Sequence, residues 1–331
     1  MIRANSNLEA ISKISQPLIV NSLIERIVRK IYKTEIPGRE HFESYMRHQW
    51  RMNLKPSTLK GSFSAVKAFL TFYGSLGKSQ LQEIVSDDIE AFVEHMQDRK
   101  FKVTTTSTRL KSLWAFLRFL IKREIIDESI VKRKIKLRLP DFLPRAIAPD
   151  DVRKILGAIE NPRDRALILV LLRTAMRIGE ALNLTMRDID LSERKIHIYE
   201  GEKNCVGRVV YLSDDAVMAL KIWLKERDKT EEHVFYGQKG KLCYTAARNI
   251  FVRYLRQAGM QHKGYSLHSL RHTCASELLN AGMRLECLQT LLGHRNIEMT
   301  RRYARLTDKS REEEYFHAMK IIEKGGIHGD Y

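Results

Sequence analysis

The feature that most constrains the fold is the helical spacing of apolar residues in the first part of the chain. In the stretches 57–73 and 104–121, apolar or aromatic residues return every three or four positions, as on one buried face of a helix. Ser57, which follows Pro56, is expected to cap the first of these helices. Further helices are predicted over Val20–Tyr32, Glu40–Arg51 and Asp87–Asp98. These segments show no strand-like alternation, so they predict a compact helical bundle of about a hundred residues.

The charge of the chain is strongly positive and unevenly distributed. There are 58 Lys and Arg against 40 Asp and Glu, a net charge of +18. Residues 1–140 hold 26 of the basic and 14 of the acidic residues, and so carry +12 of that excess. This surplus indicates a polyanionic partner, with nucleic acid ahead of an anionic membrane surface. No apolar run approaches the ~18 residues of a membrane span, and the N-terminus lacks the apolar core of a secretory signal. We therefore expect a cytoplasmic protein with no membrane partner.

A basic run followed by two prolines divides the chain. The stretch KRKIKLR at 132–138 leads into LPDFLP at 139–144, whose prolines disfavour continued helix. We predict a helical domain over 1–135 with an N-terminal extension over 1–55, a linker over 136–147, and a second domain over 148–331. The basic run is either solvated surface charge or a contact to a nucleic-acid backbone, and the net charge favours the contact. Its candidate residues are Lys132, Arg133, Lys134, Lys136 and Arg138.

The second domain is predicted to be mostly helical with one small antiparallel sheet. Its strand candidates are Lys195–Tyr199, Val209–Leu212 and His233–Tyr236. Its helices are expected near Pro149–Ile159, Ala166–Leu172, Asp214–Glu226, Tyr244–Ala258, His268–Ala281, Leu285–Leu292, Ile297–Ala304 and Arg311–Ile322. The four cysteines form no CxxC pair, so we expect reduced, mostly buried thiols and no zinc site. The fold class is therefore mainly α.

Four short segments of the second domain contain residues that catalytic sites use. They are 174–180, 201–204, 268–272, and 292–294 followed nine residues later by Tyr303. Each segment alone is weak evidence. A His and an Arg three positions apart share a helix face that is often only polar, and a tyrosine on an amphipathic helix is usually part of a core. Their order and spacing together are more specific.

Taken together, the segments resemble the catalytic signature of the tyrosine recombinases, also called the phage integrase family. HSLRHT, with His268 and Arg271, matches the HxLRHT box of that family. LGH, with His294, matches its LGH box, and RYA places Tyr303 where the family has its nucleophile. The resemblance is specific over about 145–325. It extends weakly to 57–135, which is similar to the SAM-like helical domain that binds the core DNA site.

Three further residues correspond to motifs of the same family. Arg177 and Glu180 match the first-arginine motif, although the chain has TAMR where TGLR is common. Lys203 matches the lysine of the β-hairpin, although the chain has GEKN where GKG is frequent.

The resemblance implies that the protein breaks and rejoins DNA through a 3′-phosphotyrosyl intermediate. Tyr303 would attack the phosphate, and His268 would accept its proton as general base. Arg177 and Arg271 would hold the phosphate, because the guanidinium fork donates paired hydrogen bonds and keeps its charge.

The remaining roles follow from the same resemblance. Lys203 would protonate the leaving 5′-oxygen, His294 would hydrogen-bond the phosphate or the nucleophile, and Glu180 would orient Arg177. Because the arginines would hold the phosphate as a metal ion does in other enzymes, neither a metal ion nor another cofactor is expected. No ATP is needed.

The implied partners are double-stranded DNA and further copies of the chain. In the family, a tetramer of protomers assembles on two DNA sites, and a terminal helix, here about 311–322, docks on a neighbouring protomer. Two alternatives stay open: a catalytically silent DNA-binding protein on the same fold, and a type IB topoisomerase-like enzyme. The intact residue set argues against the first, and the HxLRHT and LGH boxes against the second. The chain shows no arm-binding domain, which favours an Xer-like or mobile-element enzyme.

Overall fold

The computed structural model describes residues 23–132, 135–140, 144–199, 207–238, 240–294, 296–304, 315–316 and 319–320. Two compact units divide the chain, Met1–Asp141 and Phe142–Tyr331. The predictions for Arg133, Lys134 and Lys203, and for most of the 311–322 helix, lie outside the described residues.

The first unit is a bundle of helices around one apolar core. Its described helices are α1 (Leu23–Tyr32), α2 (Arg39–Arg51), α3 (Pro56–Ser75), α4 (Ser86–Asp98) and α5 (Val103–Ile121). Phe42, Phe69 and Phe116 are fully buried in this core. The predicted cap at Ser57 is wrong: Pro56 occupies the first turn and Lys55 is the N-cap, without a side-chain hydrogen bond. Proline fits that turn because its missing N–H would have no helical partner there.

The second unit is also mainly helical. Its helices are α6 (Pro149–Gly157), α7 (Pro162–Thr174), α8 (Ile178–Asn183), α9 (Asp214–Glu226), α10 (Tyr244–Gln257), α11 (Leu267–Asn280), α12 (Leu285–Leu292) and α13 (Glu298–Ala304). The helix α7 is buried along most of its length and packs against both α9 and α11. A smaller apolar cluster joins α11, α12 and α13. The predicted fold class, mainly α with a small antiparallel sheet, is confirmed.

The strands of the second unit differ in part from the prediction. The strands β1 (Ile189–Asp190), β2 (Lys195–Ile198) and β3 (Arg208–Tyr211) form an antiparallel sheet in that order. A separate pair contains β4 (Tyr236–Gly237) and β5 (Gly240–Lys241). The predicted strand over 233–236 therefore does not join the main sheet, and β1 takes that place. The carboxylate of Asp190 accepts the backbone N–H groups of residues 192 and 193, which turns the chain so that β1 pairs with β2.

None of the helices in the described ranges is both long and apolar enough to cross a bilayer. Within those ranges, no three His, Cys, Asp or Glu side chains are grouped so that they could hold a metal ion. Of the three cysteines described, Cys274 is buried, whereas Cys243 and Cys287 are exposed. The expectation of mostly buried thiols is wrong for these last two.

Candidate active site

Arg177 lies at the junction between α7 and α8. The helix α7 ends at Thr174, and the left-handed φ of 51° at its C-cap, Ala175, redirects the chain so that Arg177 becomes the N-cap of α8. Glu180 accepts the backbone N–H of Arg177 at 2.7 Å and its Nη1 at 3.0 Å. The Glu180 carboxylate therefore fixes both the backbone and the guanidinium of Arg177.

Arg208, which begins β3, belongs to the same cluster and was missed by the sequence analysis. Its Nη1 and Nη2 donate to the two oxygens of Glu180 at 2.9 and 2.7 Å, and its Nε donates to the carbonyl of Leu291 at 2.8 Å. Burial favours a raised pKa for Glu180, but the hydrogen bonds and charges of Arg208 and then Arg177 outweigh it and lower that pKa to about 2. An arginine at the start of a hairpin strand gives no local sign in the sequence that it will be buried.

Arg271 reaches the same region from the middle of α11. Only 2% of the residue is exposed, and its Nη1 and Nη2 donate to the carbonyls of Ala175 (2.6 Å) and Leu292 (2.7 Å). Arg177 Nη2 donates to the carbonyl of Gly293 at 3.3 Å. Burial, followed by the charge of Arg177, lowers the pKa of Arg271 to about 10, so it remains a cation at neutral pH. The structure thus brings the two predicted arginines to one turn, Leu292–Gly293.

Gly293 is the residue that this turn needs. Its φ is +61°, in the left-handed region that favours glycine. A Cβ at this position would lie 3.1 Å from Nη1 of Arg208. The glycine therefore allows both the end of α12 and the close approach of the Arg208 guanidinium.

His294 follows this turn and joins Arg271 to α13. Its Nε2 lies 3.1 Å from Nη2 of Arg271, and its Nδ1 lies 3.0 Å from Oγ1 of the buried Thr300. Because a guanidinium can only donate, we assign Nε2 as the acceptor and place the ring proton on Nδ1. Burial, followed by the charges of Arg271 and Arg177, lowers the pKa of His294 to about 4. The ring is therefore neutral at neutral pH.

Tyr303 lies one turn beyond Thr300 on α13 and points into its own domain. Only 3% of the residue is exposed, and it packs with Cys274, Leu288 and Leu292. Burial raises the pKa of Tyr303, while the nearby arginine charges act in the opposite direction.

The hydroxyl of Tyr303 lies 2.8 Å from Nδ1 of His272. His272 belongs to the HSLRHT segment, but the sequence alone predicts no role for it. Burial, followed by the charges of His268 and Arg271, lowers the pKa of His272 to about 4. The predicted base, His268, is exposed, and its ring centroid lies 4.4 Å from that of His272. The structure therefore places a different histidine against the hydroxyl.

Two family models match the chain. The model for the phage integrase family matches residues 145–310. The model for the phage integrase N-terminal SAM-like domain matches residues 39–127.

Curated relatives match most of the chain. A tyrosine recombinase of Pseudothermotoga lettingae is 28% identical over 293 residues, which cover 86% of this chain and 98% of that protein. Tyrosine recombinase XerA of Thermococcus kodakarensis is 27% identical over 295 residues, which cover 86% of this chain and 96% of that protein.

Solved structures share the fold. The Tn1549 transposon integrase in complex with transposon right end DNA aligns with a TM-score of 0.68 and 21% identity, over 83% of this chain and 98% of that one. A lambda integrase dimer (residues 75–356) bound to a core site aligns with a TM-score of 0.64 and 20% identity, over 80% of this chain and 94% of that one.

Proposed function

The chain belongs to the phage integrase family and is a tyrosine recombinase, and we propose that it breaks and rejoins double-stranded DNA with Tyr303 as the attacking group. The product of the first step is a 3′-phosphotyrosyl linkage and a free 5′-hydroxyl. The linkage conserves the energy of the broken bond, so a second 5′-hydroxyl can rejoin the strand without ATP.

The observation that carries this proposal is the pair of arginines at the Leu292–Gly293 turn. Arg271 is almost completely buried, yet in the part of the chain that the structure describes it forms no salt bridge. A buried cation without a carboxylate is costly, and the charge of Arg177 nearby increases that cost. A phosphate group would offset both charges. The arrangement therefore fits an anionic ligand better than a purely structural role.

The proposed chemistry follows from these charges. Attack on a phosphodiester builds negative charge on its non-bridging oxygens, and preorganised cationic donors stabilise that charge as it develops. Arg177 and Arg271 supply these donors, and Glu180 keeps the first of them in position. His294 supplies its ring to the phosphate or the nucleophile, and Lys203 protonates the leaving 5′-oxygen. The role proposed for Lys203 rests on its sequence motif alone.

The first unit supports binding of the DNA backbone. One groove between α3, α4 and α5 contains Lys67, Arg99 and Arg109. A second groove beside α1 is lined by five basic residues. Three of them lie on α1, one lies just after its end, and the fifth is Lys60. Lys132, Lys136 and Arg138 lie near the C-terminal end of this unit and are exposed. Such cations neutralise phosphates without reading the sequence.

Assembly and location complete the proposal. We propose that protomers, monomeric when free, form a tetramer on two DNA sites in the cytoplasm, and that the 311–322 segment docks on a neighbouring protomer. An Xer-like or mobile-element role is proposed on the same family grounds.

One experiment separates this function from the alternatives. The protein is incubated in EDTA with a nicked suicide substrate that traps the cleaved strand, and the covalent protein–DNA adduct is measured. The adduct is expected from the unaltered protein and absent from Tyr303→Phe. An adduct that forms equally with Tyr303→Phe would show that Tyr303 is not the nucleophile. The absence of any adduct would favour the silent binder, and relaxation of supercoils without strand exchange would favour the topoisomerase.

A matched variant tests the phosphate site. Arg271→Ala is expected to slow adduct formation by about 10²–10³-fold, the usual effect of losing one such donor. Its DNA affinity should change much less, because many other phosphate contacts remain. Comparable losses of rate and affinity would contradict the assigned role.

A further inference from the structure

Three consecutive backbone carbonyls at the end of α12 each accept a hydrogen bond from a different arginine. The pairs are Arg208 Nε with Leu291 at 2.8 Å, Arg271 Nη2 with Leu292 at 2.7 Å, and Arg177 Nη2 with Gly293 at 3.3 Å. The last carbonyls of a helix have no partner within the helix, and they carry a partial negative charge. The end of α12 therefore binds three guanidinium groups in one place, although only two of these arginines match the family motifs.

Arg208 differs from the other two arginines because its charge is already paired. Its Nη1 and Nη2 donate to the two oxygens of Glu180, and its Nε donates to the carbonyl of Leu291, so each of its three nitrogens has a partner within the protein. Arg271, by contrast, forms no salt bridge with any residue that the structure describes. Arg208 is therefore placed to act on its neighbours rather than on a bound phosphate.

Glu180 connects Arg208 to Arg177. Its carboxylate accepts from Arg208 at 2.9 and 2.7 Å and from Nη1 of Arg177 at 3.0 Å, and its pKa of about 2 keeps it ionised at neutral pH. If Arg177 were the sole partner of this carboxylate, the two charges would cancel. Because Arg208 supplies a second cation that is always protonated, the three groups together keep a net positive charge. Arg208 therefore leaves the charge of Arg177 available for an anionic ligand.

The carbonyl of Leu291 connects Arg208 to Arg271. It directly precedes the carbonyl of Leu292, which accepts from Arg271. Since Arg208 begins β3, its Nε fixes the last turn of α12 against the sheet. Loss of this hydrogen bond would free the carbonyls that hold the other two arginines. A displacement of about 1 Å in a catalytic group can cost about 10²-fold in rate.

We propose that Arg208 is a positioning residue for DNA cleavage, which neutralises Glu180 and fixes the end of α12 so that Arg177 and Arg271 keep their places and their charge for the scissile phosphate. This inference rests on the proposed function. Arg208 itself touches neither the DNA nor the reacting atoms.

The test compares two suicide substrates that differ only at the scissile phosphate. One has the ordinary phosphodiester. In the other, a methyl group replaces one non-bridging oxygen, so the scissile group is an uncharged methylphosphonate. Arginines that stabilise charge on the non-bridging oxygens matter less when one of these oxygens is missing. Single-turnover cleavage by each variant is measured relative to the unaltered protein on the same substrate.

Arg208→Lys and Arg208→Gln are the two variants. Lysine keeps the charge but cannot reproduce the fork of the guanidinium, whereas glutamine also loses the charge. Cleavage of the phosphodiester should slow by about tenfold for Arg208→Lys and by about 10²-fold for Arg208→Gln. On the methylphosphonate each deficit should shrink by about tenfold, as should that of Arg271→Ala. The DNA affinity of the two Arg208 variants should stay within about twofold, because no phosphate contact is lost.

Arg163→Lys is the matched control. Like Arg208, Arg163 donates to a buried carboxylate that a second arginine shares, here Asp164 with Arg253, and to a backbone carbonyl, here that of Tyr236. Arg163→Lys should lower the midpoint of thermal unfolding about as much as Arg208→Lys does. It should leave the cleavage of both substrates unchanged, because Asp164 contacts neither phosphate-binding arginine.

Three results would overturn the proposal. The first is cleavage of the phosphodiester by Arg208→Lys and Arg208→Gln at the unaltered rate. The second is a deficit of the same size on both substrates, which indicates a loss of folded structure instead of an effect on the phosphate-binding arginines. The third is a loss of DNA affinity that parallels the loss of rate, which would show that Arg208 contacts DNA itself.

Two further outcomes are decided by the same measurements. If Arg208→Gln does not fold, Arg208→Lys, measured below its unfolding midpoint, decides between these results. When the unaltered protein forms its Tyr303 adduct but the Arg208 variants give one of the three results, only this inference fails. If the unaltered protein forms no adduct, the proposed function fails, and the role of Arg208 fails with it.

Discussion

Glu180 and Arg208 form a buried, two-pronged ion pair, with N–O distances of 2.9 and 2.7 Å. Their side chains are only 1% and 5% exposed. The same carboxylate holds Arg177 at 3.0 Å. One acidic residue therefore positions two arginines, one that begins β3 and one that precedes α8.

Removing this carboxylate should be strongly destabilising. Glu180→Ala leaves two buried guanidinium groups without their partner, and a loss of about 3–5 kcal/mol in the free energy of unfolding is expected. Urea unfolding followed by circular dichroism measures it. The control is Asp150→Ala, which breaks the exposed pair with Arg153 and should cost less than about 1 kcal/mol. Similar losses of unfolding free energy in the two variants would contradict the expectation that burial makes the loss of the Glu180 carboxylate more costly.

The same pair predicts how stability depends on pH. The folded protein lowers the pKa of Glu180 from 4.5 to about 2. The contribution of the ionised carboxylate is therefore complete above pH 4.5 and is lost as the pH falls towards 2. Its size is about 3 kcal/mol, at 1.36 kcal/mol per pKa unit. The measurement is the unfolding free energy of the unaltered protein minus that of Glu180→Gln, from pH 2 to 7. A difference that does not change between pH 5 and pH 2.5 would count against this prediction.

Gly293→Ala should impair catalysis more than its backbone strain explains. A left-handed φ costs a non-glycine residue about 1–2 kcal/mol, and the new Cβ would also press on Arg208. Gly259→Ala is the matched control, since Gly259 has a φ of +72° and open space around the Cβ position. Both variants should lose similar stability to strain, but only Gly293→Ala should slow adduct formation, by about tenfold or more. Equal rates of adduct formation in the two variants would show that catalysis does not depend on the close approach of Arg208 to Gly293.

Thr300 should matter through the ring orientation of His294. Thr300→Val keeps the shape but removes the hydroxyl that accepts from Nδ1, which leaves a buried donor unpaired at a cost of about 1–3 kcal/mol. We expect slower adduct formation because the ring can then turn away from Arg271. Thr300→Ser keeps the hydroxyl and should restore most of the rate. If the serine variant is as slow as the valine variant, packing of the methyl group is the cause instead.

The groove of the first unit should set the salt dependence of DNA binding. Each phosphate contact contributes about −0.9 to the slope of log K against log salt concentration. The double variant Lys67→Ala, Arg99→Ala should therefore make the slope less steep by about 2, as measured by fluorescence anisotropy. Tyr303→Phe should leave the slope unchanged. An unchanged slope in the double variant would mean that this groove does not contact the backbone.

Some helices could be predicted accurately from the sequence, whereas one strand and one helix cap could not. The predicted helix Leu285–Leu292 has the same bounds in the structure, and Val103–Ile121 begins one residue before its prediction. Such elements follow from a spacing that is visible within the segment itself. The strand over 233–236 was misplaced because a short apolar run does not reveal which strand it pairs with. The predicted N-cap at Ser57 was wrong because Pro56, which precedes it, is itself favoured in the first turn of α3.

The sequence by itself determined the helical bundle, the positive charge of the first part of the chain, and the order of the residues that match the family boxes. Only the tertiary structure decided which side chains meet. Arg177 and the Gly293 carbonyl are 116 positions apart, and Arg271 and Ala175 are 96 positions apart. Contacts over such separations depend on the packing of α7, α11 and α12 rather than on any local pattern. The same packing brought Arg208 to Glu180 and set His272, not His268, against the hydroxyl of Tyr303.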